Sequence, residues 1–157
     1  MSDRKKEESA KHIVVSTDVS LFDLDRIHGF LHHEAYWCKG LPREVFDRSL
    51  AHSLCFGAFL PNGEQAGFAR IISDRATFAH LCDVFVFSAW HGQGISKALI
   101  EAVLAHPHLK GLRRFTLSTT DASQLYARYG FRRPAQPERL MEIASPRAYE
   151  EKEGGAA

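Results

Sequence analysis

The sequence predicts an α/β (α+β) fold in which a mixed, mostly antiparallel central sheet is flanked by helices. Three observations carry that expectation. Residues 54–60 and 66–72 are apolar runs joined through Pro61-Asn62-Gly63, a strong hairpin signal. Later strand-like runs are separated by segments with helical spacing of apolar residues, which calls for crossovers. The resulting order, β-α-α-β-β-β-α-β-α-β, sets hairpin strands beside crossover strands with helices on the sheet faces.

Each element has its own signal. Residues 12–16 (His-Ile-Val-Val-Ser) read as a short strand, and residues 23–33 as a helix with Leu24, Ile27, Phe30 and Leu31 on one face. Pro42 opens a second helix that turns Val45, Phe46 and Leu50 inward. After the hairpin, residues 77–87 form a third long strand ending in Val84-Phe85-Val86-Phe87. In residues 94–105, Ile95, Ala98, Leu99, Ala102 and Val103 share one helical face, and Pro107 stops the helix. Residues 114–118 read as a strand. Asp121 begins a short helix with Asp121 and Gln124 as a capping box and Ala122, Leu125, Tyr126 and Tyr129 on one face. Gly130 supplies the left-handed residue after it, and residues 139–145 close the fold as a strand.

Composition narrows the function classes. At 157 residues the chain suits one domain, 1–157, with a core over about 13–145 and loose ends in roughly the first ten residues and from Glu150 onward. Lys plus Arg number 20 against 19 Asp plus Glu, a balance that argues against a nucleic-acid surface. The mixed-sign run Asp3-Arg4-Lys5-Lys6-Glu7-Glu8 reads as a solvated end. Cys38, Cys55 and Cys82 are odd in number and lack a C-x-x-C, so reduced thiols and a cytoplasmic location are expected. No apolar run approaches a membrane span, and the charged N-terminus has no apolar stretch behind it.

The segment richest in chemistry is Val84-Phe85-Val86-Phe87-Ser88-Ala89-Trp90-His91-Gly92-Gln93-Gly94-Ile95-Ser96-Lys97. A buried strand, a two-glycine turn and an amphipathic helix leave the first N–H groups of the helix free to bind an anion. A Walker loop would need lysine directly after Gly94, and a dinucleotide fingerprint would need a third glycine where Lys97 stands. A plain glycine turn is the alternative that needs no ligand.

The run His91-Gly92-Gln93-Gly94-Ile95-Ser96 resembles the coenzyme A loop, [RQ]-x-x-G-x-[GA], of the GCN5-related N-acetyltransferase (GNAT) family. His91 replaces the usual Arg or Gln, and Ser96 the usual Gly or Ala. About 30 residues on, Ala122, Leu125, Tyr126, Gly130 and Phe131 match the same family's A-x-x-x-[LF]-Y-x-x-x-G-F signature. Thr119 stands where the family often has a coenzyme-contacting Asn. The resemblance implies acetyl-coenzyme A as co-substrate, no metal, and coenzyme contacts from Val84, Phe85, Val86, His91, Gly92, Gln93, Gly94, Ile95, Ser96, Lys97, Thr119 and Tyr126. It also implies that backbone N–H groups near Phe85 and Val86 polarise the thioester carbonyl.

In the family the tyrosine matching Tyr126 protonates the departing thiolate, which a phenol at ~10 can do for a thiol near ~8.5 only mildly uphill. A core tyrosine on the face of Leu125 and Tyr129 is the competing reading. An attacking amine at ~10.4 must shed a proton, and Asp83, a carboxylate in an apolar strand, is the candidate base. The alternative for Asp83 is a structural pair with Arg70 or Arg75. Glu34, Tyr36 and Trp37, with Asp83, are candidates for the acceptor side, packing bulk being the other reading for the aromatics.

Other constellations are thinner. His28, His32, His33 and Glu34 contain no H-E-x-x-H, and no G-x-S-x-G elbow suggests hydrolase chemistry. The expected activity is therefore N-acetyl transfer to a small-molecule or peptide amine by direct attack in a ternary complex. A non-catalytic acyl-CoA-binding module on the same fold is the alternative. No nucleic-acid or membrane partner is expected, and a homodimer stays open.

Overall fold

A computed structural model describes residues 12–150, so the loose ends and the charge run read at the N-terminus, and the tail beyond Glu150, lie outside the described residues. Five strands form one sheet in the order β1-β2-β3-β4-β5: Val14–Ser16, Leu54–Phe59, Gln65–Ser73, Phe78–Val86 and Arg114–Leu117. The first four pair antiparallel, and β5 joins β4 in parallel. The α-helices among the described residues are α1 (Leu24–His33), α2 (Arg43–Ala51), α3 (Ile95–Ala105) and α4 (Ser123–Ala127). No helix among the described residues is long and apolar enough to cross a membrane.

Alternation along the strands divides the core in two. Leu54, Phe56, Ala58, Ala69, Ile71, Ala79 and Leu81 face α3, where Ile95, Leu99, Ile100 and Val103 are buried. On the other face Cys55, Phe59, Phe68 and Phe85 pack with Ile27 and Leu31 of α1 and Phe46 and Leu50 of α2. Gly67 on β3 lets α3 sit close to the sheet. A Cβ there would lie 3.1 Å from Ile95 Cγ2, Leu99 Cδ1 and the Phe85 carbonyl oxygen.

Two features of β4 shape the site. Its register with β3 jumps from Phe68↔Phe85 to Arg70↔Cys82, a bulge centred on Asp83, whose φ of 50° is left-handed. Pairing with β5 runs only from Phe78↔Arg114 to Leu81↔Leu117. Beyond Leu81, β4 continues to Val86 without β5 beside it, so the sheet opens into a fork.

Two sequence expectations need correction. Residues 139–145 are not a strand: one 3-10 turn, Pro137–Arg139, is followed by extended Leu140 and then by chain that pairs with no strand among the described residues. The cause is the missing partner, since extended backbone becomes a strand only beside another. The capping box of Asp121 and Gln124 does not form either. Ala122 occupies the N-cap without side-chain help, and Thr119 Oγ1 accepts from the Ala122 N–H at 3.0 Å instead. Pro42 does open α2, as its N-cap.

Candidate active site

The loop after β4 is a short 3-10 turn, Ser88–Trp90, then His91 and the two glycines. Gly92 and Gly94 have φ of 75° and 78°, a region open to glycine and strained for other residues. A Cβ at either would meet nothing within 4 Å, so both glycines border open space. Gly94 is the N-cap of α3 and no side chain caps it, leaving the Ile95, Ser96 and Lys97 N–H groups directed out of the helix. Such a terminus suits phosphate through the N–H groups and the helix dipole. Lys97 pairs loosely with Glu101 at 3.8 Å on the exposed side.

Alternation also fixes the β4 edge. The Phe87 N–H donates to the Ala66 carbonyl at 2.9 Å, toward β3. The Val86 N–H and carbonyl therefore face the opposite edge, which β5 has left. His91 donates from Nε2 to the Val86 carbonyl at 2.7 Å. That nitrogen is engaged within the loop rather than turned toward a phosphate, which leaves the N–H groups at the start of α3 as the loop's open donors.

Tyr126 lies on α4, following β5, and is 9% exposed. Its ring meets Phe131 edge-on at 6.0 Å, and Phe131 meets Phe115 of β5 at 5.4 Å. Among the described residues its hydroxyl has no hydrogen-bond partner, yet it is not sealed from solvent. Burial, then the nearby Asp121 charge, raises its pKa above that of a free phenol. It therefore stays protonated at neutral pH.

The opposite side of the fork is held by side chains. Arg70 Nε donates to Asp83 Oδ2 at 2.7 Å, and its Nη1 donates to Ser53 Oγ at 3.0 Å. Trp37 Nε1 donates to Asp83 Oδ1 at 2.8 Å. The bulge makes this possible, since it turns Asp83 to the same face as Cys82 and Arg70. Arg75 sits instead in the β3–β4 turn, 3.5 Å from His108 Nδ1. Tyr36, packed edge-on to Trp37, shares a 2.7 Å hydrogen bond with Thr120 Oγ1 beyond β5. Glu34 is exposed at the end of α1, and its carboxylate makes no hydrogen bond among the described residues.

The sequence reading missed the residues that hold this side in place. His28 Nε2 and His32 Nδ1 both donate to the Leu41 carbonyl, at 2.8 and 2.9 Å, tying the α1–α2 loop down. Their one-turn spacing on α1 was the available signal, and it serves the loop. His80, on the same face of β4 as Asp83, bonds Thr116 Oγ1 through Nδ1 at 2.7 Å, next to the fork's vertex. Burial, then Arg70, lowers its pKa. No group of three or more His, Cys, Asp or Glu among the described residues is placed to hold a metal ion.

Comparison with known proteins agrees with this geometry. The model of the acetyltransferase (GNAT) domain matches residues 27–143. A relative from Gibberella zeae, named as a candidate acetyltransferase, is 31% identical over 137 residues, covering 73% of this chain and 76% of its own. A crystal structure from Xanthomonas campestris pv. campestris, described as a candidate GNAT acetyltransferase, is 53% identical with a TM-score of 0.86. That alignment covers 88% of this chain and 97% of the other. A Deinococcus radiodurans candidate acetyltransferase shares the fold at 22% identity and a TM-score of 0.69, over 90% of this chain and 94% of its own. Uncapped helix start, forked sheet and sequence likeness agree: the chain belongs to the GNAT acetyltransferase family.

Proposed function

We propose that the protein is an N-acetyltransferase that moves an acetyl group from acetyl-CoA to a primary amine by direct attack in a ternary complex. The observation that carries this is the uncapped α3 N-terminus beside Gly92 and Gly94, opening on a sheet fork flanked by Tyr126. The residues fit the coenzyme: Gly92, Gln93, Gly94, Ile95, Ser96 and Lys97 would hold its pyrophosphate, with Thr119 near the start of α4. The free β4 edge at Val84, Phe85 and Val86 would run beside its pantetheine arm.

In the reaction the amine nitrogen bonds to the thioester carbonyl carbon, the C–S bond breaks, and Tyr126 gives its proton to the leaving thiolate. The Val86 N–H is the backbone donor suited to polarising the carbonyl. Asp83, with one lone pair of each oxygen engaged, keeps others with which to take the ammonium proton through water. Trp37, Tyr36 and Glu34 border this acceptor side, and carboxylates beside aromatic faces suit a cationic amine.

The three thiols speak against a covalent acyl-enzyme route. Burial pushes Cys38, Cys55 and Cys82 each up to about 12, which leaves them protonated and weakly nucleophilic. The test is thiol release from acetyl-CoA with a panel of polyamines, amino sugars, peptide N-termini and lysine peptides, with the product checked by mass spectrometry. Amine-dependent release with a matching acetylated product supports the enzyme. Tight acetyl-CoA binding with no amine-stimulated release across the panel would favour the binding module.

A further inference from the structure

The α1–α2 face of the sheet is covered only in part. Cys55, Phe59, Phe68 and Phe85 lie under α1 and α2, but residues further down the same face belong to neither core cluster. There Ile72 of β3 is 46% exposed and Phe78 of β4 is 40% exposed. One such side chain alone would need no explanation, but two on one sheet face do. Register sets Ile72 opposite His80, His80 opposite Thr116 and Phe78 opposite Arg114, so these side chains share that face.

The strip is continuous with the reacting centre. Its upper end is Cys82 and Asp83, and Asp83 is the carboxylate that meets the amine in the proposed reaction. His80 lies midway: Nδ1 is bonded to Thr116, while Nε2 has no partner among the described residues and is not sealed from solvent. At the lower end the Arg114 guanidinium makes no ion pair or hydrogen bond among the described residues. The Thr77 carbonyl accepts from the Arg113 and Arg114 N–H groups, which brings the turn that carries Arg75 beside them. The carboxylate of that turn, Asp74, is occupied by the N–H groups of Ala76, Thr77 and Phe78 and by the Thr77 hydroxyl. A cationic end therefore stands about 15 Å below Asp83 along β4.

We infer that the acceptor is an extended peptide lying along this strip, with its primary amine at Asp83, an apolar side chain on Ile72 and Phe78, and a carboxylate at Arg114. The inference rests on the proposed acetyl transfer and narrows its acceptor. Length decides against smaller amines: about 15 Å takes about four or five extended residues, whereas an amino sugar covers only the upper end. Charge decides against polyamines, whose far ammonium would meet Arg114. His80 Nε2 is open to a polar group of the peptide backbone on its way between the two ends.

The test titrates two peptides, Ala-Ala-Leu-Ala-Glu-amide and Ala-Ala-Leu-Ala-Lys-amide, into the full chain in the presence of CoA, read by calorimetry. The acidic peptide is expected to bind at least ~10-fold more tightly, Arg114→Glu to reverse that order, and Ile72→Thr to weaken both several-fold. Both altered side chains are exposed, and threonine keeps a β-branched residue on β3, so both variants keep their fold by circular dichroism. In acetyl transfer the same preference is expected in the KM for the peptide, with acetyl-CoA affinity unchanged. Equal binding of the two peptides, or a preference that Arg114→Glu leaves in place, overturns the inference. A dimer in sedimentation that Arg114→Glu dissociates also overturns it, because the strip would then belong to a second copy. Acetylation of small amines without peptide binding overturns this inference and spares the proposed function. The expected peptide binding with no transfer to any amine overturns the proposed function and leaves the strip as a peptide site.

Discussion

On the α3 side of the fork the polar groups are backbone N–H groups at a helix start, and no side chain among the described residues caps them. On the α1–α2 side they are side chains, and most are already bonded to one another: Asp83 to Arg70 and Trp37, Arg70 to Ser53, Tyr36 to Thr120. The first arrangement leaves its donors for a ligand and needs little more than glycine and a helix. The second is made of contacts between distant parts of the chain, with 46 residues separating Trp37 from Asp83. In our proposal, backbone geometry thus serves the coenzyme, while the side-chain network shapes the acceptor.

The largest expected effect breaks the second side. Arg70→Met leaves Asp83 without its cation, and both side chains are mostly buried, at 16% and 11% exposure. Removing one partner of a buried pair strands the other charge, so stability should fall by about 3 kcal/mol in denaturant unfolding. Arg70→Met/Asp83→Leu should recover most of that loss. Additive losses in the double variant would deny that the two residues act as a pair.

Next in size is Tyr126→Phe, which tests chemistry at the fork without disturbing either side. The ring stays against Phe131, so melting temperature and acetyl-CoA affinity should hardly move. With the proton donor gone, kcat should fall ~10²-fold or more. The sign of the pH dependence follows from the raised pKa: a donor must be protonated, and burial keeps Tyr126 so to higher pH. Its alkaline limb in kcat therefore lies above the free phenol's ~10, and Tyr126→Phe should abolish that limb. Full activity in Tyr126→Phe would assign the residue to packing alone.

The first side is tested by Gly94→Val. At φ 78° a β-branched residue is strained, and its side chain enters space that is open in the structure. Acetyl-CoA affinity by calorimetry should weaken at least tenfold, ~1.4 kcal/mol. Gly111→Val is the matched control, with φ 71° and equally open surroundings in the turn before β5. Equal losses of affinity in both variants would attribute the effect to backbone strain rather than to the loop.

The same contrast explains what was legible in the sequence. The glycine turn, the α3 stripe and the hairpin are local: the spacing of Ile95, Leu99 and Val103 or the turn at Asn62-Gly63 states them within a few residues. The bulge at Asp83 is not local, because it depends on how β3 and β4 pair and on Arg70 reaching across. His28 and His32 have helical spacing that any loop tie or metal site would share, and only the position of Leu41 decides between them. The strand expected at 139–145 shows the opposite failure. Met141 and Ile143 stand at alternate positions, as on one side of a strand, but alternation says nothing about which edge supplies the partner.

The smallest effect sharpens the comparison most. Trp37→Phe keeps an aromatic ring against Tyr36 and removes one N–H donor, the 2.8 Å bond to Asp83 Oδ1. Trp37 is 43% exposed, so water can replace much of what is lost. The stability cost should be on the order of 0.5 kcal/mol. Asp83 keeps Arg70 but loses the contact that ties it to the α1–α2 loop. If that loop borders the acceptor, the KM for the amine should change several-fold while acetyl-CoA affinity stays fixed. An unchanged amine KM would leave the Trp37–Asp83 contact as a staple with no part in acceptor recognition. A change in acetyl-CoA affinity alone would contradict the division itself, because the Trp37–Asp83 contact on the α1–α2 side would then be controlling the α3 side.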